Sequence, residues 1–346
     1  MGSNLDAGTK RNVRARVAIV AIGAAMALLV ASHVATATVV HGPVISEDAA
    51  DPKVILDGNR FFAFTTNSLR RGNVPVWEST DLTAWSYVGD ALPSVGAWAV
   101  RGATWSTTVT HRGFMKWVLF YTAIDRASGD HCIGRATASS ASGPYRDDNA
   151  APVVCQLDHG GSIDPDVYID GAGALWLVWK SDDIAIDGWD QIWSAQLDAT
   201  ASHFVSPPGV LITVDPNEDG SQVEAPQLVG AGGQLWLFYS AGDWDTSDYA
   251  VHVVRCLGPA GPCPKDNPTP PWLDTSAGVA GPGSISLVSD GAGAWFAAFH
   301  GWVGAVGYEN GGSRGMFIEP VTFGPGTPTL RPDLSRHGQA GVVPDL

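Results

Sequence analysis

Five short, aromatic-rich segments recur along the chain, and this repeat limits the possible folds more than any other feature. Each segment follows a turn, usually rich in glycine, and its apolar side chains are arranged as in a buried strand. The anchor residues of the segments are Phe62, Trp117, Trp176, Trp236 and Trp295. They lie 55 to 60 residues apart, a period typical of one four-stranded sheet per repeat.

The repeat predicts an all-β fold, a five-bladed β-propeller over residues 38–330. A ring of five sheets leaves few exposed strand edges, and the chain in this region shows no sustained helical period. A pair of β-sandwiches is the competing architecture, but it does not account for the even spacing. A shorter apolar strand precedes the aromatic strand, as at 54–56, 167–169, 227–229 and 285–287. Each such hairpin would line the central channel with its first strand.

Carboxylates recur where these first strands begin. Counting back 11 or 12 residues from each anchor gives Asp51, Trp105, Asp164, Glu224 and Ser284. Proline directly follows both aspartates, which predicts an extended conformation for each of them. Taken singly, such acids are commonly turn caps or ligands of a structural ion. At matched offsets in three repeats, they predict a cluster of acids on the axis of the propeller.

A cluster of acids on one axis suits glycoside hydrolysis. Like charges in a partly desolvated cleft drive pKa values apart, so one carboxyl stays a base while another stays protonated. Cleavage of a glycosidic bond needs both, because the leaving oxygen is protonated while water is activated. The net charge of −15 argues against nucleic acid or an anionic membrane surface as a partner. The predicted partner is a polysaccharide or oligosaccharide.

Six short motifs carry a family resemblance. In chain order they are DPKVI at 51–55, WESTDLTAW at 77–85, IGRA with SGPY at 133–136 and 142–145, SIDP at 162–165, VEAP with LWLFYS at 223–226 and 235–240, and GSRGMF at 312–317. In this order and spacing they resemble glycoside hydrolase family 43. That family consists of five-bladed propellers and includes β-xylosidases, α-L-arabinofuranosidases and arabinanases. The resemblance runs from Asp51 to about Phe323.

The resemblance implies a one-step, inverting hydrolysis of arabinofuranosyl or xylosyl linkages. It makes Asp51 the general base, Glu224 the general acid and Asp164 the pKa-modulating carboxylate that orients its neighbour. It makes Arg314 a sugar contact. Trp98 offers a flat apolar face to a sugar ring, with packing inside a blade as the alternative. Trp105 is a weaker candidate, because an insertion blurs the register around it.

Ser284 is the clearest departure from the family pattern. Many members have histidine here, where it helps to hold an ion or water network, often calcium, in the central channel. The replacement argues against an axial calcium, and we expect that no metal or cofactor is required. His300, on the neighbouring strand, is the residue of the site that would substitute in part. Its alternative is core packing beside Phe299 and Trp302.

Residues 1–37 have the features of an export signal. Four basic residues precede an apolar run at 17–32, and small residues at 35–37 suit cleavage. The run is short for a membrane span, so we favour a cleaved secretory leader over an uncleaved signal anchor. The protein is then secreted, and it contacts a membrane only if the anchor remains. Residues 331–346 are predicted to be a loose tail.

Export also bears on the four cysteines. In an oxidising compartment, Cys132–Cys155 and Cys256–Cys263 are the simplest of three possible disulfide pairings. Free buried thiols are the alternative.

Two other functions remain open from the sequence. The propeller could bind carbohydrate without turnover, since a fold does not guarantee an activity. It could also hydrolyse another glycoside, such as a galactoside or a fructoside. Fructan-cleaving relatives usually begin with Asn-Asp-Pro, whereas Ala50 precedes Asp51 here. The choice between arabinofuranosyl and xylosyl, and between exo and endo action, depends on loops around the cleft.

Overall fold

Eighteen strands, grouped in five antiparallel sheets, make up the described part of the chain. The computed structural model describes residues 42–330 except 114–115, 187 and 266–268. The predicted leader at 1–37 and the predicted tail at 331–346 lie outside the described residues. Four 3-10 helices occur between the strands: Leu157–His159, Asp183–Ile186, Thr275–Ala277 and Tyr308–Asn310.

The five sheets, called blades I to V, follow one another along the chain. Blade I contains β1 (Lys53–Asp57), β2 (Arg60–Phe64), β3 (Pro75–Ser79) and β4 (Ser86–Asp90). Blade II contains β5 (Trp105–His111), β6 (Trp117–Ile124) and β7 (His131–Ala138). Blade III contains β8 (Ser162–Ile169), β9 (Leu175–Ser181), β10 (Gln191–Leu197) and β11 (Gly209–Thr213). Blade IV contains β12 (Val223–Ala231), β13 (Gln234–Ala241) and β14 (Ala250–Arg255). Blade V contains β15 (Ala280–Ser289), β16 (Trp295–Val303), β17 (Ser313–Thr322) and β18 (Thr329–Leu330).

The blades close into a ring, which confirms the predicted five-bladed β-propeller. The first strands β1, β5, β8, β12 and β15 contact one another in this order, and β15 contacts β1. The segment before β1 also pairs with blade V, because the Val44 N–H donates to the Met316 carbonyl at 2.8 Å. Ala49 makes the same kind of bond to the Arg314 carbonyl at 2.8 Å. The start of β1 is thereby fixed beside β17.

The hydrophobic core lies between the blades. Successive side chains of a strand point to opposite faces, so each aromatic second strand packs against both neighbouring blades. On β2, Phe62 and Phe64 join a cluster with blade II, whereas Phe61 and Ala63 join a cluster with blade V. Burial on both faces explains why these strands are apolar throughout and do not alternate with polar residues.

Two disulfides are present, with the pairing predicted. Cys132 is bonded to Cys155 across 23 residues, and Cys256 to Cys263 across 7 residues. Within the described ranges, the structure has no helix of the length and apolarity needed to cross a membrane.

Candidate active site

The first strand of every blade begins with the same backbone distortion. At the start of each first strand one non-glycine residue has a left-handed φ of 32° to 53°, and these are Asp51, Ser106, Asp164, Ala225 and Ser284. In four blades the strand register also shifts here, as at a β-bulge. All five residues line one small space in the central channel. Such backbone strain is concentrated at functional sites in proteins.

This ring corrects the register predicted from the sequence. Asp51 and Asp164 occupy equivalent positions, as expected, but both have a left-handed φ and not the extended conformation predicted from the prolines that follow them. Glu224 lies one residue before the ring position of its blade, which is Ala225. Trp105 likewise precedes Ser106. The bulge adds a residue that the count back from the anchors did not locate. The carboxylates therefore come from two successive positions and not from one.

A second ring of side chains supports the first. The N–H of each ring residue donates to a side chain from the preceding blade. The bonds are Asp51 to His300 Nδ1 (3.2 Å), Ser106 to Thr66 Oγ1 (2.9 Å), Asp164 to Thr122 Oγ1 (3.1 Å), and Ser284 to Ser240 Oγ (2.9 Å). In blade III the corresponding position is Lys180, which pairs in register with Ile163 and has no acceptor atom. The Ala225 N–H donates instead to Asp164 Oδ2, at 2.9 Å.

A cavity of about 370 Å³ lies at this end of the channel. All three predicted catalytic carboxylates line it, together with Ser284 and Arg314. Its apolar lining includes three residues that sequence reasoning missed or ranked low: Leu69, Trp105 and Trp244. Trp105 has 38% of its surface exposed at this cavity and stacks on His131 with 3.9 Å between ring centroids. The cavity thus combines acids with aromatic faces that suit a sugar ring.

Asp51 is held as a carboxylate by donors on every side. Its Oδ2 accepts from Thr66 Oγ1 at 2.6 Å, and its Oδ1 accepts from Ser284 Oγ at 2.7 Å. The Arg314 Nη1 lies 3.5 Å from Oδ1. Burial alone would raise the pKa of Asp51, but the Arg314 charge and the hydrogen bond from Thr66 hold it well below its ordinary value.

Asp164 is in the opposite electrostatic condition. Burial, followed by the negative charges of Glu224 and Asp51, raises the pKa of Asp164 to about 8. Lys180 and the bond from the Ala225 N–H oppose this shift only in part. With its pKa raised in this way, Asp164 holds a proton near neutral pH. The site therefore contains one ionised acid and a second acid group that carries a proton.

Two buried side chains that sequence reasoning missed hold Glu224. Its Oε1 accepts from the Tyr249 hydroxyl at 2.7 Å, and its Oε2 lies 3.5 Å from Lys180 Nζ. Burial and the neighbouring Glu224 charge raise the pKa of Tyr249 well above its ordinary value, so the hydroxyl remains a donor. The repeat offers one signal for Lys180, because it stands four residues after its anchor, as Thr66 does after Phe62.

Arg314 lines the cavity, as predicted, and aromatic groups orient it. Its Nε donates to the Tyr308 hydroxyl at 3.0 Å, and that hydroxyl donates to Asp48 Oδ1 at 2.8 Å. The guanidinium carbon lies 4.8 Å from the centroid of the Trp244 ring. A planar cation fixed in this way presents its donors in a defined direction.

Trp98 and His300 do not line the cavity, although Trp98 was expected to offer its ring to a sugar and His300 to be a residue of the site. Trp98 packs in the core between blades I and II, where its ring lies 6.0 Å from that of Tyr121 and its Nε1 donates to Asp147 at 3.1 Å. His300 is fully buried, and burial lowers its pKa. Its Nδ1 lies 3.2 Å from both the main-chain nitrogen and Oδ1 of Asp51. His300 is thus a support behind Asp51.

The residues of the channel do not fit an axial calcium ion. Calcium requires about six to eight oxygen ligands. Within the described residues, no three or more His, Cys, Asp or Glu side chains are arranged to hold a metal. The Ser284 hydroxyl is directed to Asp51, and the channel contains a protein cation, Lys53, paired with Asp166.

Comparison with known proteins gives matches over nearly the whole described chain. The model of Glycosyl hydrolases family 43 matches residues 40–328. The Extracellular endo-alpha-(1->5)-L-arabinanase 1 of Bacillus subtilis (strain 168) is 25% identical over 229 residues, which are 61% of this chain and 66% of the relative. A xylosidase/arabinosidase of Butyrivibrio fibrisolvens is 23% identical over 315 residues, which are 86% of this chain and 57% of the relative. The chain thus matches less than two thirds of the length of either relative.

A solved structure shares the fold. The crystal structure of a thermostable family-43 glycoside hydrolase superposes with a TM-score of 0.74 at 24% identity. The superposition covers 84% of this chain and 96% of that one.

Proposed function

The chain belongs to glycosyl hydrolases family 43, and from that premise we propose that it is an inverting glycoside hydrolase of arabinofuranosyl or xylosyl linkages. In this proposal Asp51 is the general base, Glu224 the general acid and Asp164 the pKa-modulating carboxylate. One observation carries the proposal. Three carboxylates from three different blades line the same cavity, each with its own set of charged and hydrogen-bonding neighbours.

The proposed reaction occurs in a single displacement. A water oxygen attacks the anomeric carbon from one face of the sugar while Asp51 takes a proton from that water. The bond to the leaving oxygen breaks on the other face, and Glu224 gives its proton to that oxygen. Such a mechanism requires the carboxyl groups of base and acid to be roughly 6.5–9.5 Å apart, so that the water fits between them.

The surroundings of the acids support these roles. The lowered pKa of Asp51 keeps it ionised, which is the state that a base needs. The raised pKa of Asp164 keeps this carboxyl protonated near neutral pH, so it adds no negative charge beside the proposed acid Glu224. After the reaction, solvent must remove the proton from Asp51 and return a proton to Glu224.

The relatives and the cavity indicate the substrate class. The two relatives described above are an arabinanase and a xylosidase/arabinosidase, so pentosyl linkages of plant polysaccharides or of their oligosaccharides are the first substrates to test. Arg314 would bind a sugar hydroxyl through its guanidinium donors. The extracellular relative and the two disulfides support secretion of this protein.

A substrate screen with matched variants tests the proposed function. Nitrophenyl α-L-arabinofuranoside, nitrophenyl β-D-xyloside and arabinan are incubated with the wild type, Glu224→Gln and Asp51→Asn. We expect the wild type to release product and each variant to lose about 10²- to 10⁴-fold in kcat. NMR of the first product formed should show the inverted anomeric configuration.

Glu78→Gln is the control for the substitution itself. Glu78 lies on β3, where it pairs with Arg60 at 3.2 Å on the surface, and we expect wild-type rates. Product release by Glu224→Gln at the wild-type rate would exclude Glu224 as the acid. No release from any glycoside, combined with measurable binding of arabinan, would identify a carbohydrate-binding propeller instead.

A further inference from the structure

We propose that Lys180 is a positioning residue for Glu224, and that its buried ammonium group sets the pH above which Glu224 no longer delivers a proton. This inference rests on the proposed function, because it assigns a role toward the general acid. The juxtaposition that carries it is a lysine, an acid of the cavity and two further carboxylates at the end of β9.

Each carboxylate oxygen of Glu224 is held by a different side chain. Tyr249 donates to Oε1, and the ammonium of Lys180 lies 3.5 Å from Oε2. On its other sides the ammonium lies 3.2 Å from Asp190 Oδ2 and 3.6 Å from Asp182 Oδ1. Lys180 is 1% exposed, so none of these contacts is weakened by bulk water. The Glu224 side chain is thus held between a phenol and an ammonium ion.

The repeat of the fold does not require a lysine at this position. In the other four blades the equivalent residue supplies a hydroxyl or an imidazole that accepts the N–H of the next blade. Lys180 cannot accept, and Asp164 performs that task instead. Burial of an ammonium ion is costly unless it is paired. Burial alone would lower the pKa of Lys180, but Glu224, Asp190 and Asp182 raise it above its ordinary value, so the side chain stays charged.

Other charged and titratable groups surround this contact. They are Asp164 on β8, Asp182 and Asp190 between β9 and β10, His131 on β7, Tyr249 before β14, Asp51 before β1, and His300 on β16. Most of them are acids, and among the described residues Lys180 is the cation that lies within 4 Å of Glu224. Its positive charge therefore stabilises the ionised form of Glu224 against the neighbouring carboxylates.

Removal of this charge should move the alkaline limb of the pH–rate profile. An ionised Glu224 without the ammonium is less stable, so Glu224 keeps its proton to higher pH. In Lys180→Met we expect the alkaline limb of kcat/KM to move up by about 1 to 3 pH units. We also expect kcat to fall by about 10²-fold, because the acid is no longer held in place. Lys180→Arg retains the charge and should keep the limb near its wild-type position.

Lys53→Met is the matched control. Lys53 is the other lysine of the channel, and its ammonium pairs with Asp166, so its removal also takes away a partly buried cation. We expect lower thermal stability with an unchanged alkaline limb. Coincident limbs in the wild type and Lys180→Met, or equal shifts in Lys180→Met and Lys53→Met, would overturn the proposal.

A second variant covers the case in which Lys180→Met does not fold. Asp182→Asn removes one counter-charge from the ammonium, so the ionised form of Glu224 becomes more stable and the limb should move to lower pH. An unchanged or raised limb in Asp182→Asn contradicts the proposal. The profiles are measured on the glycoside that the wild type cleaves fastest. If the wild type cleaves none of the glycosides, the proposed function is wrong. If the wild type is active but the alkaline limbs of the variants do not move, only the role of Lys180 is wrong.

Discussion

The carboxylate of Asp164 accepts the main-chain N–H of Ala225 at 2.9 Å, which ties this acid to the residue that follows Glu224. The bond joins blade III to blade IV at the point where the other blades use a hydroxyl or an imidazole. It holds Asp164 and Glu224 close together. Burial makes the largest contribution to the raised pKa of Asp164, and the negative charge of Glu224 raises it further. We therefore expect this pair of acids to lower the stability of the folded protein.

Asp164→Asn should stabilise the protein at alkaline pH. The pKa of Asp164 is raised to about 8 in the folded state, against about 3.9 in an unfolded chain. Between these values the folded state holds a proton that the unfolded state has released, so stability falls as pH rises. An amide can still accept the Ala225 N–H and removes the charge. At pH 8 we expect a gain of about 0.5–2 kcal/mol with loss of activity, and no gain at pH 4, measured by urea unfolding.

Asp51→Asn is the matched control for that prediction, because its sign is opposite. The folded-state pKa of Asp51 is lowered, so this carboxylate contributes stability above its unfolded pKa and loses it as pH falls. We expect Asp51→Asn to destabilise the protein at pH 7 and to have a smaller effect in acid. Equal pH dependence of stability in both variants would show that the two acids do not differ in the way described.

The fold could be predicted from the sequence because every blade repeats the same local sequence pattern. A turn followed by an aromatic strand that is buried on both faces specifies one hairpin. The spacing of buried anchor residues such as Phe62 and Trp236 gives the period of the repeat. The convergence of Asp51, Asp164 and Glu224 also followed, since each stands where a first strand begins.

Finer features of the site depend on contacts that no local pattern encodes. The one-residue offset of Glu224 arises because Ala225 has a left-handed φ. This conformation is uncommon for alanine, so the sequence did not predict it. A lysine at the end of a strand is usually solvated, and the one signal for Lys180 was its offset from the anchor, which it shares with Thr66. The aromatic character of Trp98 was visible, but whether its ring faces the cavity or the core is decided by Tyr121 and Asp147 across the blade.

Arg314→Met should move the acid limb of activity to higher pH. The Arg314 charge holds the pKa of Asp51 low against the effect of burial. Without it, Asp51 binds a proton at higher pH and stops acting as a base. We expect the acid limb of kcat/KM to rise by about 1–3 pH units, besides any loss of sugar affinity. Arg71→Met is the control, because Arg71 pairs with Glu47 at 2.9 Å outside the cavity lining. An acid limb that stays in place in Arg314→Met contradicts the assigned electrostatics.

Chelation should leave activity and stability unchanged. Lys53 supplies a positive charge inside the channel, paired with Asp166, and Ser284 directs its hydroxyl to Asp51. A divalent cation would there meet a cation of the protein and few free oxygen ligands. We expect the same Tm and kcat before and after dialysis against EDTA, and no gain from added calcium. A Tm that falls on chelation and returns with calcium would contradict this prediction.

Trp105→Ala should weaken binding of long substrates more than short ones. The indole lies at the cavity with 38% of its surface exposed, and His131 stacks on it. A sugar unit beyond the cleaved linkage would pack on the exposed part, in a contact worth about 0.5–1.5 kcal/mol. We expect KM for an arabino- or xylo-oligosaccharide to rise about 3- to 10-fold, with little change for a nitrophenyl monoglycoside. Trp189→Ala is the control, since Trp189 is 58% exposed and lies outside this cavity. Equal KM values in Trp105→Ala and the wild type would place the bound chain elsewhere.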